Sequence, residues 1–203
     1  MKFLAIDTSG KHLTVIAYHD KAYITALPDC ALEHSVRLMD ELDAALSRAG
    51  MSAADCDFFA VVTGPGSFTG IRIGIATVKG LCLALGKPAL AVTSFDCIAY
   101  DKANLPLLCL VDAGHGYVYA CGYREGHEIV LAPRYLSGAE AETLAREGGY
   151  SLAASEGVCV ECPRADVANG LLNAVLRNAR NIRPAQELTA LYVRKSSAEE
   201  NRK

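Results

Sequence analysis

The chain has 203 residues, a formal net charge of −3, and 51% hydrophobic against 21% charged residues. This composition excludes a disordered or collagen-like chain and suits one large domain or two small ones with a real core. Twenty Lys and Arg against 23 Asp and Glu give no general attraction to phosphate backbones, so tight nucleic-acid binding by this chain alone is not expected. Apolar runs such as Leu81 to Leu85 and Leu105 to Val111 fall well short of the ~20 residues of a spanning helix. The early acidic residue Asp7 does not fit a secretory leader, so a cytoplasmic protein without a membrane segment is expected.

Alternation from Phe3 to Ser9, His12 to Tyr18 and Ala22 to Leu27, broken at Gly10-Lys11 and Asp20-Lys21, predicts a three-stranded meander. Pro28-Asp29 then open a helix from Ala31 to Ala49 with Leu32, Val36, Met39, Leu42 and Leu46 along its main face and Gly50 as its stop. A strand from Phe58 to Val62, a glycine-rich loop and a helix from Ile71 to Leu85 complete the order β-β-β-α-β-α. A connecting strand, Ala89 to Thr93, and a helix near Ser94 to Asp101 lead to a second such series. Its strands are Leu107 to Val111, Tyr117 to Tyr123 and Glu128 to Leu131, followed by a helix from Ser137 to Arg146, a strand from Ser151 to Ala154 and a helix from Asp166 to Ala179. The first strand of each series ends in a carboxylate, Asp7 and Asp112. The expected class is α/β, a duplicated β-β-β-α-β-α unit of the actin, Hsp70 and sugar-kinase (RNase H-like) type with a reduced second half, divided into subdomains 1–101 and 102–203.

In that plan nucleotide lies between the halves, a strand-end Asp holding Mg²⁺ through water and the following turn receiving phosphate oxygens. The candidates for a vestigial site are Asp7, Thr8, Ser9, Asp112, Gly64 and Gly66. The plain alternative is that each Asp forms a turn by bonding its own backbone. The stretch Thr63-Gly64-Pro65-Gly66-Ser67-Phe68-Thr69-Gly70 likewise has two readings: free amides at a helix N-terminus facing an anion, or a tight turn that lets helix and sheet approach closely. It is not a Walker loop, because Ile71-Arg72 stand where that motif needs Lys and Ser or Thr.

The helix after the loop is apolar nearly all round, with Arg72 and Lys79 its only charges. One stripe, Ile71, Ile75, Val78 and Cys82, or the other needs cover beyond its own sheet. Small residues such as Gly74 would admit a partner helix, and Leu38 and Ala45 on the preceding helix lie off its main stripe. These seven residues are the expected partner surface. No Ser/His/Asp or Cys/His arrangement can be placed among the five His, and the position four after His34 is Leu38, so neither catalytic nor metal-ligating residues are expected. The Cys159-Val160-Glu161-Cys162 pair has no second pair at zinc-site spacing, and the other cysteines sit in apolar runs as reduced thiols.

Four stretches together resemble the TsaB (YeaZ) family: Met1 to Ser9, Glu33-His34-Ser35, Gly64 to Gly74 and Leu191-Tyr192-Val193-Arg194. The resemblance implies a non-catalytic subunit in forming N6-threonylcarbamoyladenosine at position 37 of tRNAs that read codons beginning with A. It also implies pairing with the catalytic paralogue TsaD, recruitment of the ATPase TsaE, and a homodimer when the protein is alone. Contact with tRNA would come only through the complex, and ATP or ADP would bind at its subunit junction, with no intrinsic cofactor. Two departures are Asp112-Ala113-Gly114, where the family shows Asp-Ala-Arg, and Ala190 in place of Pro. The competing expectations are a stand-alone actin-like ATPase or phosphotransferase using Asp7, Asp112 and the glycine loop, and a metallopeptidase, which Leu38 disfavours.

Overall fold

The structure is a computed structural model that describes residues 1–30, 33–102 and 104–194. Its strands are β1 (Lys2–Asp7), β2 (Leu13–His19), β3 (Lys21–Leu27), β4 (Phe58–Val62), β5 (Ala89–Val92), β6 (Leu107–Gly114), β7 (Tyr117–Arg124), β8 (Glu128–Ser137) and β9 (Ser151–Ala154). Its helices are α1 (His34–Arg48), α2 (Phe68–Leu85), α3 (Ser94–Ala99), α4 (Gly138–Gly148) and α5 (Val167–Asn178). One sheet runs β3-β2-β1-β4-β5 and the other β8-β7-β6-β9. In each, an antiparallel meander is extended by a parallel strand on the free side of its first strand, β4 beside β1 and β9 beside β6. The fold is α/β, consistent with the actin-like, RNase H-like type.

β1 and β4 are apolar on both faces because helices cover both faces of the first sheet. Leu4, Ile6, Phe59 and Val61 pack with Leu38, Leu42 and Ala45 of α1 and Val78 and Cys82 of α2. On the opposite face Phe3, Ala5, Phe58 and Ala60 pack with Leu171, Ala174 and Val175 of α5. Helices are exchanged between the halves: α5 covers the first sheet, while Phe95, Ile98 and Ala99 of α3 pack with Leu107, Cys109 and Cys121 of the second. A boundary at 101/102 therefore does not divide the cores. The chain after α5 also returns to the first half, where Ala185 and Leu188 enter its core.

Several element expectations shift. α1 turns inward only part of the expected face: Leu42 and Leu46 are buried as expected, but Val36 and Met39 are 72% and 52% exposed, and His34, Leu38 and Ala45 are buried instead. The buried stripe is centred about 90° round the helix from the expected one, and packing against β2 and β3 selects it. Leu32, the remaining residue of the expected face, lies outside the described residues. β8 runs six residues past Leu131, through Pro133, because it is the sheet edge, where a missing N–H costs no ladder bond. α2 begins at Phe68, one turn before Ile71, where the Ser67 hydroxyl accepts from the Gly70 amide at 3.2 Å. α2 is long and apolar enough to cross a bilayer, but its Ile71, Val78 and Cys82 are packed in the core.

α3 and α5 cross at Gly170, where a Cβ would collide with the Cys97 carbonyl oxygen. Gly170→Ala is expected to lower stability by about 1–3 kcal/mol through overpacking. Gly80→Ala, on the open side of α2 with nothing within 4 Å, should raise it by about 0.5–1 kcal/mol. Denaturant midpoints at unchanged slope measure both.

Candidate functional site

A cleft of about 600 Å³ opens between the halves, lined by Asp7, Ser9, Lys11, His12, Gly66, Ser94, Asp112, Glu156 and Asp166 among others. Parallel pairing of β1 with β4 and of β6 with β9 leaves the ends of both first strands facing this gap. The two strand-end carboxylates make the same local bond. Asp7 Oδ1 accepts from the Ser9 amide and hydroxyl, each at 2.7 Å, and Asp112 Oδ1 accepts from the Gly114 amide at 2.9 Å. Each Asp therefore builds its own turn, as the plain alternative expects, and each also lines the cleft.

Behind Asp7 lies a buried polar network. The Ser9 hydroxyl is 3.2 Å from that of Ser94, which donates to the Pro65 carbonyl at 2.7 Å. Burial raises the Asp7 carboxyl above its ordinary value, against the pull of the Ser9 bonds and the nearby His34 and His12. Across the mouth, His12 Nε2 meets Glu156 Oε2 at 2.6 Å. Lys11 Nζ and Asp112 Oδ2 both border the space a side chain on Gly157 would take, at 3.6 and 3.1 Å. The Lys11-His12 turn thus reaches from one half to the other. Nothing in the local sequence marks this bridge.

The glycine loop is not an anion cradle. A Cβ at Gly66 would strike the Ser9 carbonyl and one at Gly70 the Thr8 carbonyl, while one at Gly74 would sit 2.6 Å from Thr8 Oγ1. The Ser67 amide donates to the Ser9 carbonyl at 2.7 Å, and the Thr8 hydroxyl to the Gly70 carbonyl at 2.7 Å. These glycines permit close backbone approach. Gly64 and Thr8 are buried and do not line the cleft, so of the six expected nucleotide-site residues only Asp7, Ser9, Gly66 and Asp112 meet there. The lining carries four carboxylates, Asp7, Asp112, Glu156 and Asp166, against Lys11 and the already paired His12. The cleft has room for a nucleotide, whose phosphates these carboxylates would repel without a divalent cation between them.

The expected partner surface also moves. Leu38, Ala45, Ile71, Val78 and Cys82 are each at most 4% exposed, Gly74 is buried and Ile75 partly buried, all within this chain. The outward apolar residues of the two helices include Val36, Met39 and Ala44 on α1 and Ala76, Leu83 and Ala84 on α2, set among exposed charges such as Arg37, Asp40, Asp43 and Arg72. Among the described residues no three His, Cys, Asp or Glu side chains converge as a metal cage. The paired cysteines diverge: Cys159 Sγ contacts the Gly116 carbonyl at 3.4 Å, whereas Cys162 Sγ accepts from Arg164 at 3.4 Å.

His34 is the unusual group. It is 1% exposed, neither ring nitrogen has a hydrogen-bond partner among the described residues, and burial lowers its pKa although Asp7 nearby opposes the shift. Its folded value lies below the ordinary 6.5, so the unfolded chain takes up the proton first. The stability of the neutral form is full above about pH 6.5 and is lost as pH falls below it. Replacing an unpaired buried polar group by an apolar one is neutral or stabilising. His34→Leu is therefore expected to flatten the loss of unfolding free energy between about pH 7 and pH 5, measured by denaturant titration across that range.

A family model described as "TsaD: tRNA N6-adenosine threonylcarbamoyltransferase" matches residues 8–200. The chain is 32% identical over 146 residues to the tRNA threonylcarbamoyladenosine biosynthesis protein TsaB of Escherichia coli, an alignment spanning 66% of this chain and 63% of that protein. To TsaB of Bacillus subtilis it is 35% identical over 130 residues, 61% of this chain and 56% of that one. The alignments thus span less than two thirds of these relatives' length. Among solved structures, YeaZ from Pseudomonas aeruginosa superposes with a TM-score of 0.74 at 26% identity, over 94% of this chain and 100% of that one.

Proposed function

We propose, for a chain that belongs to the TsaB/YeaZ family, the role of a non-catalytic subunit in forming N6-threonylcarbamoyladenosine on tRNA. It acts in the cytoplasm by pairing with the catalytic paralogue TsaD, and TsaE joins the pair. The tRNAs concerned are those reading codons that begin with A, modified at position 37. We read the two sheets as one β-β-β-α-β-α plan used twice, the second copy reduced. Any nucleotide is held at the junction of the assembled subunits.

The observation that carries this reading is the bare face of α1 and α2. Leu83 is 82% exposed near the end of α2, and Val36 and Met39 are 72% and 52% exposed near the start of α1, which runs in the same direction as α2. Ala76, Gly80 and Ala84 beside Leu83 leave room for a second backbone. A face of this kind marks a contact with another protein chain. The same face would serve a homodimer when the chain is alone. A stand-alone ATPase or phosphotransferase is the second reading; it would need a divalent cation between the four carboxylates of the cleft and the phosphates.

The double variant Val36→Glu, Leu83→Glu is expected to abolish co-elution with TsaD and product formation in a reconstituted tRNA modification assay. Its unfolding free energy should stay within about 0.5 kcal/mol of the parent, as for exposed positions generally. Val78→Glu would instead unfold the chain, because Val78 is fully buried. Pairing that survives the double variant would rule out this face, and unchanged product when the chain is omitted would rule out the role.

A further inference from the structure

Pairing through α1 and α2 leaves the C-terminal segment unexplained. After α5 the chain runs back along the first half: Ala89 and Arg183 exchange amide bonds, each 2.8 Å, and the Leu191 amide donates to the Thr63 carbonyl at 2.8 Å. Beyond that point Leu191 and Val193 are partly buried while Tyr192 and Arg194 face outward. Tyr192 stacks on Phe68 of α2 with ring centroids 4.3 Å apart. Arg72 lies over the Phe68 ring at 4.0 Å and its Nε donates to the Tyr192 hydroxyl at 3.1 Å. Two residues further, Arg194 lies over Tyr135 of β8 at 5.0 Å and donates to its hydroxyl at 3.1 Å. Tyr135 in turn stacks on Tyr117 of β7 at 4.8 Å, the planes 6° apart. A strip of alternating arginines and aromatic rings therefore crosses from one half to the other, with Tyr192 and Tyr117 41% and 40% exposed.

The charge around the strip differs from that of the chain as a whole. The elements that carry it, 68–85, 117–124, 128–137 and 188–194, contain Arg72, Lys79, Arg124, Arg134 and Arg194 against one acid, Glu128, which pairs with Arg124, although acids outnumber bases 23 to 20 overall. Glu140, just past the Tyr117 end, is tied to the Ser137 amide and hydroxyl at 2.7 Å. Exposed flat rings take unstacked bases irrespective of sequence, and arginines set among them meet phosphates.

We propose that this aromatic–arginine strip binds a single-stranded segment of RNA, with bases on Tyr117 and Tyr192 and phosphates at Arg72 and Arg194. The choice of a tRNA loop as that segment rests on the role proposed above. Overall acidity does not oppose this, because a Debye length of about 8 Å confines the relevant field to the strip's surroundings.

The test titrates labelled unmodified tRNA transcript into the full chain alone and into its complex with TsaD. Tyr117→Ala and Tyr192→Ala are each expected to weaken binding roughly tenfold, and Tyr117→Phe to restore it. Arg194→Gln should lower the slope of log affinity against log salt by about one, while co-elution with TsaD stays unchanged. Tyr117 lies on β7, apart from the C-terminal segment, so its variant reads the surface even if Tyr192→Ala loosens that segment. Unchanged affinity in Tyr117→Ala overturns the proposal, as does a parent chain that binds no tRNA in either preparation. Loss of co-elution at unchanged tRNA affinity overturns it in favour of a docked protein segment. Should the parent fail to pair with TsaD, the assembly reading falls, while titration of the chain alone still decides the strip.

Discussion

The closeness of the α2 backbone to the end of β1 governs the first half of the molecule. Gly66, Gly70 and Gly74 leave no space for a side chain against Thr8 and Ser9, and the Thr8 hydroxyl bonds the Gly70 carbonyl across that contact. Each helical glycine costs about 1 kcal/mol relative to alanine. Tight burial of neighbours such as Val61 and Ile71, both fully inaccessible, offsets that cost. One consequence is chemical: a loop pressed onto its own sheet cannot also present its amides to a phosphate. The other is geometric. With Gly70 and Gly74 held against β1, the opposite side of the helix, from Arg72 through Ala76 and Gly80 to Leu83, must face outward.

The cleft is correspondingly a braced gap. Ser94 reaches from the start of α3 to Pro65, His12 meets Glu156, and α3 and α5 each cover the other half's sheet. Asp7 stays ionisable in this setting because its two bonds from Ser9 compensate part of its burial, which still leaves its pKa raised. His34 is buried without a hydrogen-bond partner among the described residues.

Much of this was legible in the residues. Alternation and glycine or proline punctuation locate nearly every element, and the matching carboxylates Asp7 and Asp112 foretell that both strand ends share one space. The errors have a common cause: a period can be read while its phase cannot. Val36 and Met39 form as good a helical stripe as Leu38 and Ala45, and only the surface offered by β2 and β3 decides between them. Ile71, Val78 and Cys82 likewise read as surplus apolar area until the core proves deep enough to hold them. Pro133 conceals the second part of β8 because edge position is a property of the sheet. Contacts such as His12 with Glu156, 144 residues apart, leave no local trace at all.

The outward side of α2 carries two different chemistries, and their separation allows both to act at once. Arg72 belongs to the aromatic strip at the helix start, whereas Leu83 belongs to the apolar face near its end. Eleven residues of helix place them about 16 Å apart, beyond the reach of a single side chain and about twice the Debye length at physiological salt. An apolar partner can therefore cover Leu83 without desolvating the guanidinium of Arg72. If both proposed contacts form, the lack of any acid on α2 has a reason that packing alone does not supply: a carboxylate on this side would be buried by the one contact or repel the phosphates of the other.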